Sequence, residues 1–153
     1  MPEAAKCPMC GKIALSLIVE NREVAADDGT LLGYQDELMA CGACGERHYT
    51  YEQSLASSRA RAGALRHHAG LLAPTEIRAF RERAGLTQAR LEDILGTGAK
   101  TVVRWERGTV CQSRAADRLL RLLIANPSNI AVLAENHGAV VRRTWTSSDA
   151  SRL

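Results

Sequence analysis

The residues best suited to chemistry are four cysteines in two copies of one pattern. CPMCG at residues 7–11 and CGACG at residues 41–45 each place two thiols on a tight loop, followed by a glycine. Four thiolates from two such loops form the usual ligand set of a tetrahedral zinc site. We therefore predict one structural Zn²⁺ per chain, held by Cys7, Cys10, Cys41 and Cys44.

Other chemistry for these cysteines is less well supported. Iron in a rubredoxin-like site is an alternative, whereas a redox-active pair leaves the second copy unexplained. Four protein ligands leave no open coordination position, which argues against catalytic zinc. His48 follows Cys44 closely, but we expect it to be a strand or surface residue. The fifth cysteine, Cys111, is predicted to be a packing or surface residue, neither ligand nor nucleophile.

A second pattern, in residues 86–108, predicts a helix-turn-helix. Thr87 is a suitable N-cap for a short helix that opens at Gln88, and the glycines of residues 96–98 end it. A second helix is predicted from about Ala99 to Arg107. It places Val102 and Trp105 on a packing face and a row of cations on the other, namely Lys100, Arg104 and Arg107. The alternative is an ordinary amphipathic helix with a solvated basic face.

The elements around these motifs predict an α+β chain with two small domains. Residues 16–24 and 31–39 are predicted strands joined by a turn at residues 27–29, and Tyr49 and Tyr51 continue into a last short strand. This metal-bound antiparallel sheet forms a zinc-binding domain, 1–51, and residues 52–73 form a linker helix. An all-α, five-helix domain follows over 74–137, with a Ser113-capped helix to Ala125 and a last helix from Asn126-Pro127 to about residue 136. Residues 138–153 are expected to be a flexible tail.

Composition limits the protein's location and the class of its partner. The 153 residues are 24% charged and 46% hydrophobic, which is typical of a globular protein. The sequence shows no apolar run of membrane-spanning length and no apolar core of a signal peptide, so we expect a cytoplasmic protein with reduced cysteines and no membrane association. Residues 71–126 carry ten Lys/Arg against six Asp/Glu, while residues 1–70 carry seven against nine. The positive charge therefore coincides with the helix-turn-helix, as phosphate binding requires.

Two family resemblances follow from these motifs. LTQ at 86–88 and WERG at 105–108 resemble the Xre/Cro-type helix-turn-helix regulators, which implies that Gln88 contacts DNA. The whole chain from about residue 6 to 136 resembles the MqsA-type antitoxins, which include the YgiT-type zinc-finger proteins. CPMCG, CGACG, LTQ and GTGAKTVVRWERG carry that second resemblance. In the MqsA-type family an asparagine and an arginine four residues later read bases; the matching positions here are Lys100, which departs from the pattern, and Arg104, which fits it.

The resemblance implies the antitoxin of a type II toxin–antitoxin pair. The zinc domain would neutralise a protein toxin, typically an mRNA-cleaving RNase. The second domain would form a homodimer and repress its own operon at a palindromic operator in double-stranded DNA. The candidate DNA-binding residues are Gln88, Lys100, Thr101, Arg104 and Arg107. The alternative is a stand-alone zinc-containing transcriptional regulator that senses metal, redox state or another partner. No constellation of catalytic side chains is evident, so we do not expect an enzyme.

Overall fold

The first part of the fold is a small antiparallel sheet. The computed structural model describes residues 6–138, beginning with β1 (Leu15–Ala25) and β2 (Leu31–Cys41), which pair along their full length. β3 (Arg47–His48) pairs with the other edge of β2. Both predicted strands are confirmed, and each observed strand is two residues longer than predicted. The predicted turn at residues 27–29 is also present, with the Asp28 carboxylate accepting a hydrogen bond from the Thr30 N–H at 3.0 Å.

The two faces of this sheet differ because side chains alternate along each strand. One face buries Val24 and Leu38 beneath α1 (Tyr51–Ala69), which packs against β2. Asp36 is buried on the same face, where its Oδ2 accepts a hydrogen bond from the Tyr49 hydroxyl at 2.6 Å and forms an ion pair with Arg22, whose Nε lies 3.1 Å away. The opposite face has no covering element within the described chain and exposes Leu17 and Val19.

The prediction that Tyr49 and Tyr51 lie in a strand is wrong for both residues. Thr50 and Gln53 form a capping box, in which each side chain accepts a hydrogen bond from the other residue's backbone N–H. This cap begins α1 at Tyr51, so β3 ends at His48 and Tyr51 lies in the first turn of the helix. The sequence alternation at Tyr49 and Tyr51 was therefore a weaker signal than the local cap.

The helix α1, predicted as a linker, contacts both halves of the molecule. Its His68 lies 2.8 Å from the Asp28 carboxylate in the β1–β2 turn. Near its middle, the Ala62 carbonyl accepts a hydrogen bond from the Cys111 thiol, and Arg59 Nε donates to the Arg107 carbonyl at 3.1 Å. α1 is thus hydrogen-bonded to the hairpin at one point and to the helical domain at two.

Five helices follow, as predicted. They are α2 (Pro74–Arg83), α3 (Gln88–Leu95), α4 (Thr101–Glu106), α5 (Arg114–Ala125) and α6 (Asn129–Gly138). All but α6 contribute buried residues to one apolar core, which includes Ile77, Phe80, Leu91, Trp105 and Leu120. Within the described residues, no helix is long and apolar enough to cross a membrane.

The last helix begins later than predicted. Asn126 Oδ1 accepts hydrogen bonds from the backbone N–H and the hydroxyl of Ser128. This side chain stabilises a turn after α5, so α6 starts at Asn129 and not at Pro127. The predicted flexible tail, residues 138–153, starts one residue too early because Gly138 is the last residue of α6; residues 139–153 lie outside the residues that the structure describes.

Candidate metal centre and nucleic-acid interface

The two cysteine loops have the same backbone geometry. In the first, the Gly11 N–H donates to the Cys7 carbonyl at 2.9 Å; in the second, the Gly45 N–H donates to the Cys41 carbonyl at 2.8 Å. Both glycines adopt positive φ angles, 70° and 75°, which residues with a side chain rarely adopt. The repeated CxxCG pattern therefore produces two equivalent turns, one before β1 and one at the end of β2.

These turns bring all four sulfurs together. Each lies within 4.8 Å of the others, and the Cys7–Cys44 and Cys10–Cys41 Sγ pairs are both 3.7 Å apart. Four ligands at about 2.3 Å from a tetrahedral zinc ion lie about 3.8 Å from one another. The sulfur geometry therefore fits a single tetrahedral metal ion, with Cys7 and Cys41 buried and Cys44 exposed.

The thiol pKa values show both favourable and unfavourable effects on thiolate formation. The backbone N–H groups of Ala43 and Cys44 face the Cys41 sulfur and outweigh its burial, which lowers the pKa of Cys41 to about 6. At Cys44 the Glu46 N–H favours the thiolate, but burial and the three neighbouring sulfurs raise the pKa to about 12. A divalent cation bound between the sulfurs would lower the pKa of each thiol and hold all four as thiolates.

The other candidate ligands lie apart from this cluster. Among residues 6–138, no further group of three or more His, Cys, Asp or Glu side chains is arranged to hold a metal. His48 lies in β3, as expected of a strand residue. Cys111 is half-buried against α1, where burial raises the pKa of its thiol. Four protein ligands make a closed site, which suits a metal that stabilises the fold.

The predicted helix-turn-helix segment is formed by α3, a short turn and α4. The Thr87 hydroxyl caps α3 by accepting from the Arg90 N–H at 3.1 Å, and Gly96 ends it with a φ of 64°. α4 buries Val102 and Trp105, as predicted, and exposes Arg104. Thr101, the first residue of α4, is half-buried.

The prediction that Lys100 lies on the helical face of α4 is wrong. Lys100 is the N-cap, with a φ of 62°, and α4 extends only from Thr101 to Glu106. Its side chain provides no cap; the buried carboxylate of Glu92, from α3, instead accepts a hydrogen bond from the Val102 N–H at 2.9 Å. This contact between helices fixes where α4 begins. Lys100 is nevertheless exposed at the start of α4, and Arg107 is exposed as its C-cap.

The side chain of Gln88 forms a hydrogen bond that the sequence does not predict. Its Nε2 donates to Glu106 Oε2 at 2.8 Å, and Glu106 is also bound by Arg81 through Nε at 2.6 Å and Nη2 at 3.0 Å. Burial alone would raise the pKa of Glu106, but the Arg81 and Gln88 donors together hold it below the usual value. Three helices therefore meet at one carboxylate. Gln88 and Arg81 lie 18 and 25 residues before Glu106 in the sequence, so no local spacing pattern identifies these contacts.

The fold and the cysteine cluster together define a two-domain protein. A small sheet carries four cysteines arranged to hold a metal ion, and a five-helix domain follows it. A family model described as the antitoxin component of a bacterial toxin–antitoxin system, MqsA, matches residues 5–133. Since the match covers most of the chain and both domains, the chain belongs to the MqsA antitoxin family. No curated protein matches the chain.

Proposed function

We propose that the chain is a type II antitoxin that represses its own operon and neutralises a partner toxin. The observation that carries the proposal is the family match, which extends from before the first cysteine into α6 and so includes both domains. The proposal assigns DNA binding to the helical domain and toxin binding to the zinc domain, and it makes the chain a cytoplasmic regulator, not an enzyme. The four-cysteine site would hold one structural Zn²⁺ per chain.

Exposed cations within α4 and at its two ends support DNA binding. Arg104 points away from the core side of α4, while Lys100 and Arg107 are exposed at the two ends of the same helix. Arginine can donate two hydrogen bonds to a guanine edge or to a phosphate, and lysine neutralises phosphates. We assign base or phosphate contacts to a set of five residues: Gln88, Lys100, Thr101, Arg104 and Arg107.

Exposed apolar residues on the last two helices support dimerisation. Leu122 in α5 is 62% exposed and Val132 in α6 is 57% exposed. α5 and α6 contact each other, and large apolar side chains on a surface are often covered by a second protein chain. A homodimer formed through this domain would present two copies of α4, which is the arrangement that a palindromic operator requires.

The uncovered face of the sheet supports toxin binding. Leu17 and Val19 in β1 are 58% and 56% exposed, and Leu31 at the start of β2 is 63% exposed. Their register places all three on the face opposite α1, and β1 is an edge strand. Residues 1–70 also carry an excess of acidic residues, which complements the basic surface that an mRNA-cleaving toxin uses to bind RNA.

One observation favours a second candidate function. Cys44 is exposed, so an oxidant can reach the cluster directly. A stand-alone regulator that releases zinc on oxidation would use this access. A neighbouring gene that encodes a toxin would distinguish the two functions, because only an antitoxin requires such a partner.

The toxin proposal is tested by co-expression. The reading frame adjacent to this gene is expressed alone and together with the full chain, and growth is recorded. We expect growth arrest from the neighbour alone and rescue by the wild-type chain. Rescue should fail with Leu17→Asp/Val19→Asp and persist with Asn21→Asp, which adds a charge to the same strand face without removing an apolar contact. A neighbour that is harmless, or toxic regardless of the wild-type chain, would contradict the toxin-neutralising part of the proposal.

A further inference from the structure

The carboxylate of Glu106 is an unusual feature for a residue on the proposed DNA-binding helix, because its side chain is only 5% exposed. It accepts two hydrogen bonds from Arg81 in α2 and one from Gln88 in α3. We propose that Glu106 is a positioning residue that orients the side-chain amide of Gln88 for hydrogen bonding to DNA. This inference rests on the proposed DNA-binding function.

The chemistry of a carboxylate determines which way the amide faces. An ionised carboxylate only accepts hydrogen bonds, so it selects the Nε2 end of Gln88 and excludes the Oε1 end. The amide then has one remaining N–H donor and the Oε1 acceptor. Within residues 6–138, neither of these forms a hydrogen bond with the protein, and Gln88 is half-exposed at the first position of α3. One donor and one acceptor are thus held in a fixed orientation beside α4.

Arg81 keeps the carboxylate ionised and in place. Its bidentate contact fixes both oxygens of Glu106, and its Nη1 donates to the Leu86 carbonyl at 3.1 Å, just before α3. The guanidinium is therefore anchored to the backbone beside Gln88. A fixed amide loses less conformational entropy on binding DNA than one that rotates freely in solvent, so the network should increase affinity without touching the duplex.

The contact from Gln88 is not needed to satisfy the buried charge. Arg81 alone already provides each Glu106 oxygen with a donor. A half-exposed glutamine can instead hydrogen-bond to water, so its removal should leave the pairing of α2 with α4 intact. A purely structural role for Glu106 and a positioning role through Gln88 therefore predict different outcomes.

A double-mutant cycle in DNA binding separates these roles. The variants are Gln88→Ala, Glu106→Gln and the double substitution in the full chain, and the probe is the DNA immediately upstream of the gene. We expect each single substitution to weaken binding about tenfold, the loss of one charge-assisted hydrogen bond. The double substitution should bind as the single variants do, because both remove the same oriented amide. Independent, additive losses would overturn the inference.

A spectroscopic readout covers the case in which Glu106→Gln does not fold. The side-chain amide protons of Gln88 are compared by NMR with those of Gln35, which is exposed on β2 and forms no side-chain hydrogen bond in the described chain. We expect one Gln88 proton to be shifted by the carboxylate, and Glu106→Asp, which keeps the charge but shortens the side chain, to reduce that shift. Gln88 resonances that match those of Gln35 and do not respond to Glu106→Asp would overturn the inference. Failure of the wild-type chain to bind the upstream DNA would contradict the proposed function and leave the NMR result to decide whether the amide is oriented.

Discussion

Among single residues, Arg104 is the one that we propose as a main contact to DNA. Its Nε donates to the Lys100 carbonyl at 3.2 Å, which aligns the side chain along α4. Within the described chain, its two Nη groups donate to no protein acceptor. An aligned guanidinium with free Nη groups suits bidentate contact with guanine or phosphate.

Replacement of Arg104 tests this assignment. We expect Arg104→Ala to weaken binding to the upstream DNA by about 1–3 kcal/mol and to reduce sequence preference. Fluorescence anisotropy with specific and random duplexes measures both quantities. Arg118→Ala, which removes an exposed arginine from α5, serves as the control. Equal affinities for the two variants would remove Arg104 from the interface.

Asp117 is the residue that should give the helical domain a pH-dependent stability. Burial raises its pKa, but the Leu72 N–H, Arg121 and Gln112 all donate to it and lower the pKa overall. A carboxyl group with a depressed folded-state pKa stabilises the fold above its unfolded pKa of about 3.9 and loses that contribution as the pH falls through the folded value.

Asp117→Asn should therefore lower the free energy of unfolding by about 1–3 kcal/mol at neutral pH, since it removes the charge while retaining an acceptor. The difference from wild type should shrink as the pH falls below about 4. Urea unfolding followed by circular dichroism at several pH values measures this, with Asp93→Asn, an exposed position in α3, as the control. A difference that does not change with pH would show that the charge of Asp117 is not the cause.

At the scale of elements, α4 depends on its neighbours for its structure. It has six residues, too few to be stable as an isolated helix. Val102 and Trp105 bury its inner side, Glu92 accepts the Val102 N–H at its start, and Glu106 is bound by two other helices at its end. Tertiary contacts at both ends therefore define α4.

The Glu92 carboxylate, which accepts the Val102 N–H at the start of α4, should contribute measurably to stability. We expect Glu92→Ala to lower the free energy of unfolding by about 1–3 kcal/mol, because the buried Val102 N–H loses its acceptor. Asp93→Ala, at the next, exposed position, should change it by about 0.5 kcal/mol or less. Thermal unfolding of both variants measures the difference. Equal effects would show that Glu92 does not stabilise the start of α4.

The same elements show what the sequence could and could not predict. The CxxCG repeats and the alternation in β1 and β2 are local patterns, and they correctly indicated the cluster and the long strands. The start of α4 depends on Glu92 in α3, and the hydrogen-bond partner of Gln88 is Glu106 in α4, so both contacts join residues of different helices. Local spacing carries no information about these contacts, and so the helix predicted from about Ala99 starts two residues before the observed α4 and includes Lys100, which is the N-cap.

At the scale of the whole molecule, the two halves rely on different sources of stability. The small sheet buries few side chains, so metal binding should provide much of its folding free energy. The helical domain has a continuous core built from its own helices and the Leu72 segment before them. We therefore expect the helical domain to remain folded when the metal is lost, even though α1 contacts both halves.

Loss of one ligand tests this independence. Cys41→Ser should lose the metal and the structure of the sheet, while binding of the full chain to the upstream DNA persists. Metal analysis and DNA titration measure the two properties, with Cys111→Ser, outside the cluster, as the control that should retain one zinc ion per chain. A Cys41→Ser variant that retains zinc and a folded sheet would contradict the structural role of the cluster. Iron in place of zinc in the wild type would contradict the metal assignment.

Specific DNA binding by the α3–α4 unit is tested most simply by a footprint of the purified, metal-loaded full chain on the DNA upstream of its own gene, made at low ionic strength. We expect two protected half-sites related by a palindrome and separated by about one helical turn, because a dimer would present two copies of α4. A uniform absence of protection under these conditions would contradict the claim that the α3–α4 unit is a specific DNA-binding surface.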